Sequence, residues 1–181
     1  MVATLVIVDI QNDYFPGYAF PLVGADDAAA RAGELLAGWR DRGAPVVHVR
    51  HVWEGPDAAF MRPDTAGSEI HPLVAPRGEE TVIIKEHPNA FRDTPLDGIL
   101  TRLDTRELVV CGMMSSLCVD ATVRAAAADL GYVVTVAHDA CAAPDLDFDG
   151  VTVPGRQVHA AFMAALADSY ATMTPVRELV A

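Results

Sequence analysis

The amino-acid sequence predicts an α/β fold in which a mainly parallel sheet is covered by helices on both faces. Three observations carry that reading. Short β-branched, apolar runs alternate with Ala- and Leu-rich stretches of helical periodicity from end to end. No internal repeat or long linker interrupts them, and parallel neighbours need crossovers that place helices on the sheet faces. The 181 residues, 51% of them hydrophobic, suit one domain (1–181) with a substantial core.

The elements follow in order. Thr4 to Val8 is β-branched and apolar and reads as the first strand. Ala25 to Arg42 has helical periodicity and is closed by Gly43. Pro45 to Val52 is a second strand, and Glu80 to Lys85 a third around Val82-Ile83-Ile84. Leu96 to Leu103 is a short helix, and Leu108 to Cys111 a fourth strand. Ala121 to Leu130 is the helix that follows, Tyr132 to Ala137 a fifth strand, and Val158 to Tyr170 a final helix. Met173 to Val176 is a candidate sixth strand. The longest irregular stretch, Trp53 to Gly78, is rich in Gly and Pro and reads as a functional or oligomer-contact loop. Asp145 to Gly150 has the acidic spacing of a calcium loop but lacks its terminal Glu, so it reads as a solvated loop.

Composition narrows the partners. A formal net charge of −12 argues against nucleic acid and against an anionic membrane surface. No apolar run reaches the roughly 18 residues of a membrane helix. The first residues lack a basic region and meet Asp9 at once, so they read as a strand and not a signal peptide. Cys111, Cys118 and Cys141 form no CxxC pair, which fits a reducing compartment and no structural zinc. The expectation is a cytoplasmic protein acting on a small molecule. An anionic substrate stays open if Arg50 or Arg92 faces the site.

In open parallel sheets, ligands bind at the carboxyl ends of the strands. That rule selects Asp9 after strand one, Lys85 at the end of strand three, and Cys118 after strand four. Cys118 lies where a strand hands over to a helix, and a helix N-terminus favours the reactive thiolate and holds an oxyanion. A carboxylate can take the thiol proton, and an ammonium beside both holds the two anions together. The trio follows the logic of a Ser-His-Asp triad with other groups.

With Asp9-x-Gln11, with Lys85 followed by Asn89-Ala90-Phe91 and Thr94-x-Leu96, and with Gly112-x-x-Ser115-x-x-Cys118-Val119, the chain resembles the isochorismatase-like cysteine hydrolase superfamily. The resemblance implies a three-layer α-β-α sandwich around a six-stranded, mainly parallel sheet, in a homodimer or larger homo-oligomer. It implies Cys118 as nucleophile, Asp9 as general base and Lys85 as charged partner. It also implies a cis peptide between Met113 and Met114 that aims the Met114 and Cys118 N–H groups at the substrate oxygen. The implied reaction is hydrolysis of a small amide or related C–N bond through a Cys118 thioester, with no cofactor. Two other functions stay open: isochorismatase-type vinyl ether hydrolysis, which uses Asp9 without need of the thiol, and a non-catalytic binding role on the same fold.

Some relatives that hydrolyse nicotinamide carry an Asp-x-His-x-His metal site after strand two. This chain has Val47-His48-Val49-Arg50-His51 there, and residues three apart in a strand face opposite sides, so no metal is expected. Gln11, Phe15, Trp53, Phe91 and Ser115 are the candidate substrate contacts. Tyr14 and Phe60 either join the aromatic lining or pack the core. Cys111, inside a strand, reads as a packing residue.

Overall fold

The computed structural model describes residues 3–181. Its central sheet has six strands in the order β3-β2-β1-β4-β5-β8, and every neighbouring pair is parallel. The strands are β1 (Thr4–Val8), β2 (Val46–His51), β3 (Thr81–Lys85), β4 (Glu107–Met113), β5 (Val133–Ala142) and β8 (Thr172–Thr174). Strand order reverses between β1 and β4, which makes the carboxyl ends of those two strands the natural crevice. β1 is buried along its whole length, which is why it reads as an unbroken apolar run and not as an alternation. Helix α1 (Ala25–Asp41) turns Ala28, Ala29, Ala32, Leu35, Leu36 and Trp39 inward. The Trp39 indole N–H donates to the Ala3 carbonyl at 2.9 Å, tying that helix to the start of β1. Helices α2 (Leu96–Arg102), α4 (Gly155–Ser169) and the short α5 (Val176–Leu179) complete the layers.

The last strand ends at Thr174, Val176 opens α5 instead of closing that strand, and α4 starts at Gly155, ahead of Val158. Four further elements differ more from the sequence reading. β4 continues past Cys111 to Met113 because Gly112 permits it. Gly112 has φ +136°, and a Cβ there would overlap the Val8 carbonyl oxygen, so only glycine lets β4 lie this close to β1. The following helix begins earlier than Ala121. A wide π-type turn, Ser115–Val119, leads into α3 (Asp120–Arg124), and a second such turn, Ala125–Asp129, ends it. The Leu117 and Val119 N–H groups both converge on the Met114 carbonyl, so Cys118 lies inside the first turn. β5 runs on to Ala142 through a register shift opposite Val110 and Gly112. Finally, the acidic stretch after it is exposed, as expected, but is not a loop. β6 (Leu146–Phe148) and β7 (Val151–Val153) form an antiparallel hairpin. Its two-residue turn, Asp149-Gly150, has positive φ at both positions, the geometry that Asp-Gly favours.

At the opposite edge, Glu80 anchors the entry to β3. Its carboxylate accepts from Arg40 Nε at 2.7 Å and Nη2 at 2.8 Å, from the Arg77 N–H at 2.9 Å, and from His48 Nε2 at 2.9 Å. Burial lowers the His48 pKa, so the ring is a neutral donor there. The Arg40 hydrogen bonds, helped by the Arg77 N–H and His48 and opposed by burial, hold the Glu80 carboxyl down to about 2. A carboxyl depressed in the folded state adds stability above its ordinary value of 4.5 and loses it as pH falls towards 2. Thermal melts are therefore expected to show the wild-type advantage over Glu80→Gln shrinking across that window. An advantage that stays constant from pH 5 down to the acid limit would remove this role.

Candidate active site

The site is built where the sheet reverses its order. Asp9 directly follows β1 in a left-handed conformation, φ +49°, which Asp tolerates better than most residues. Lys85 ends β3 and is the ladder partner of His51, the last residue of β2. Cys118 comes from the turn after β4. All three expected catalytic residues meet, and all are buried: Asp9 0%, Lys85 1% and Cys118 3% exposed.

Lys85 Nζ is the hub. It stands 2.6 Å from Asp9 Oδ2, 2.9 Å from His51 Nδ1 and 3.3 Å from Cys118 Sγ, so an ammonium with three protons faces three acceptors. Asp9 Oδ1 accepts no hydrogen bond from the described residues, and Asp9 and Cys118 offer atoms within 4.8 Å of one another. Burial works against the Lys85 charge, but Asp9 and Cys118 outweigh it and the pKa ends above its ordinary value. Burial and the Lys85 charge push His51 down to about 4, so its ring is neutral and presents a lone pair to the ammonium.

The thiol departs from expectation. Burial, then the Asp9 carboxylate, push the Cys118 pKa up, and Lys85 recovers only part of this. The resting group is a thiol and not the thiolate that a helix N-terminus alone would favour. Tyr14 is held neutral too, chiefly by burial and then by Cys118 and Asp9.

The Met113–Met114 peptide is cis. Immediately after it, Ser115 is fully buried; its Oγ donates to the Ala142 carbonyl at 3.1 Å and meets His159 Nδ1 at 2.8 Å. Ser115 thus pins the turn to the end of β5 and to α4, and its hydroxyl does not line the cavity beside Cys118.

That cavity, of about 250 Å³, opens over the sulfur. Its walls are Tyr14, Trp53, Phe60, Pro88 and Leu117, with His51 and Glu86. Of the expected substrate contacts, Trp53 alone is there. Gln11 is completely buried and committed elsewhere: its Nε2 donates to the His51 and Ser68 carbonyls, and its Oε1 accepts from the His51 N–H. Phe15 is buried and stacks on His71 at 3.9 Å. Phe91 stacks on Tyr132 at 6.0 Å. These residues support the site from behind and do not face it.

Gln11 also explains how the irregular Trp53–Gly78 loop is held. Arg50 donates to the Ser68 carbonyl, the Ser68 hydroxyl and Glu69. The Asp13 carboxylate receives the Met61 N–H at 2.6 Å and packs so tightly against Gly67 that a Cβ there would overlap it. Polar side chains after β1 and on β2 thus take the place of secondary structure and fix Trp53 and Phe60 over the cavity.

His51 joins the candidate site although the sequence does not single it out for that. It was weighed only with His48 as a metal pair, and the two do face opposite ways, His48 to Glu80 and His51 to Lys85. The strand-end rule that selects Asp9 and Lys85 selects His51 as well. Asp9, His51 and Cys118 offer ligand atoms within 4.8 Å of one another, but Lys85 Nζ stands among them. A metal ion would have to displace that ammonium.

The isochorismatase domain family matches residues 3–178. An uncharacterized isochorismatase family protein of Bacillus subtilis, YddQ, is 50% identical over 96% of this chain and 96% of its own. A ureidoacrylate amidohydrolase of Variovorax paradoxus is 27% identical, with 76% of this chain and 68% of its own aligned. The crystal structure of an isochorismatase from Pseudomonas putida superposes with a TM-score of 0.90 and 38% identity, covering 97% of this chain and 89% of that one. With the sheet order, the strand-end residues and the matched length all in agreement, this chain belongs to the isochorismatase family of hydrolases.

Proposed function

We propose that the protein hydrolyses a small amide or related C–N bond through a thioester on Cys118. The observation that carries this reading is the buried contact of Lys85 with both Asp9 and Cys118 at the floor of a largely apolar cavity. Cys118 Sγ attacks the carbonyl carbon while its proton passes to the free oxygen of Asp9. The carbonyl oxygen becomes an oxyanion, received by the Met114 and Cys118 N–H groups. Protonated Asp9 returns the proton to the amide nitrogen, the C–N bond breaks, and ammonia or an amine leaves. Asp9 then deprotonates a water that attacks the thioester, which releases the carboxylic acid and restores the thiol.

Lys85 stays an ammonium throughout. It stabilises the carboxylate as acceptor and the sulfur as it loses its proton. Neutral His51 fixes the direction of that ammonium without competing for its proton. The ureidoacrylate amidohydrolase relative acts on a C–N bond of this broad kind, which supports the reading.

An ammonia-release screen over small primary amides and ureido compounds tests it, with intact mass measured under turnover. The expected result is ammonia release with a transient mass gain on Cys118 equal to the acyl group. Ammonia release with no adduct and no dependence on Cys118 would rule out the thioester route.

A further inference from the structure

The cavity over Cys118 has a chemical bias beyond its size. Three of its walls are aromatic, and the rings approach from different directions: Trp53 meets Phe60 edge-on at 5.8 Å, and Tyr14 is tilted against Phe60 at 5.9 Å. Glu86 is the only charged lining residue apart from the buried groups on the cavity floor, and it forms no ion pair with any described residue. Among the described residues no Lys or Arg lines this cavity with it. Arg50 is spent on Ser68 and Glu69, and Arg92, 3.5 Å from Asp93, lines an adjoining cavity whose wall Glu86 shares. Lys85 is enclosed by its three acceptors.

We infer that the site selects substrates carrying a cationic group, an ammonium or guanidinium, remote from the scissile carbonyl, and rejects those carrying a carboxylate. Aromatic faces attract a cation through their quadrupoles. Glu86 adds a carboxylate at the mouth, and the net charge of −12 enriches cations around the protein. A carboxylate in the same place would meet Glu86 and find no donor cation. The word substrate rests on the amidase reading, but the preference itself is one of binding and is read without turnover.

The experiment is calorimetric titration of the full chain with benzyltrimethylammonium and, separately, with phenylacetate. The ammonium is expected to bind at least about tenfold more tightly than the carboxylate. Glu86→Gln and Trp53→Ala are each expected to weaken ammonium binding by roughly 3- to 10-fold. Both residues are exposed, so neither change threatens the fold. Equal binding of the two probes, binding of neither, or ammonium binding indifferent to both substitutions would overturn the inference. Cation binding in a protein that releases no ammonia from any amide would instead count against the proposed function alone.

Discussion

Cys118→Ala is expected to lower kcat for amide hydrolysis by about 10⁴-fold or more, the scale on which triad nucleophiles act. Cys118 is 3% exposed and its sulfur sits against Lys85, so the substitution removes a small buried group and one weak acceptor. Stability should move by only about 1 kcal/mol, which separates a chemical loss from a folding loss. Cys118→Ser is the sharper control. It keeps the hydrogen bond and nearly the volume, but a hydroxyl gives up its proton to a carboxylate far less readily than a thiol. Steady-state rates with melts on the same preparations check both variants. Activity within tenfold of wild type in Cys118→Ala would show that Asp9 works without the thiol, as in vinyl ether hydrolysis, and the thioester would be abandoned.

Lys85→Met is expected to abolish activity and to destabilise the fold together. It leaves the Asp9 carboxylate in the interior with no counter-charge, a change that costs about 3–5 kcal/mol. For a chain of this size that corresponds to a Tm lower by roughly 6–20 °C. Asp9→Asn should do the same from the other side by stranding the ammonium. The double variant Asp9→Asn/Lys85→Met removes both charges and is expected to regain much of the lost Tm while staying inactive. A Lys85→Met protein with wild-type Tm would mean that the pair is not the buried ion pair described.

The direction of pH dependence follows from the same contact. The Lys85 pKa is raised in the fold, so its stabilising contribution is complete below its ordinary value of 10.5. That contribution fades only as pH rises beyond it.

The fold and the meeting of Asp9, Lys85 and Cys118 were legible because both depend on periodicity and on strand ends. Apolar runs locate the strands, and a charged or nucleophilic residue just past a parallel strand falls on the ligand-binding edge whatever the loops do. The remaining site was hidden for a different reason. Which way Gln11, Phe15, Phe91 and Ser115 point depends on partners far along the chain: the Ser68 carbonyl, His71, Tyr132 and His159. Nothing within a short window specifies those pairings. His51 was legible by the strand-end rule and was overlooked because histidines invite a metal reading. The β6–β7 hairpin was signalled by Asp149-Gly150, but the acidic run around it outweighed the turn.

Gly112 has a meaning for how such a protein can change. The spacing between the strand that leads to Asp9 and the strand that leads to Cys118 is set by backbone resting on backbone, with no side chain between them. Substitutions in the cavity wall therefore leave that spacing untouched. Trp53 and Phe60 belong to an irregular loop, Glu86 and Pro88 to the segment after β3. The meeting of Asp9 with Cys118 and the shape of the cavity thus rest on separable parts of the chain: the wall can drift residue by residue, while the thiol and carboxylate stay in reach of each other.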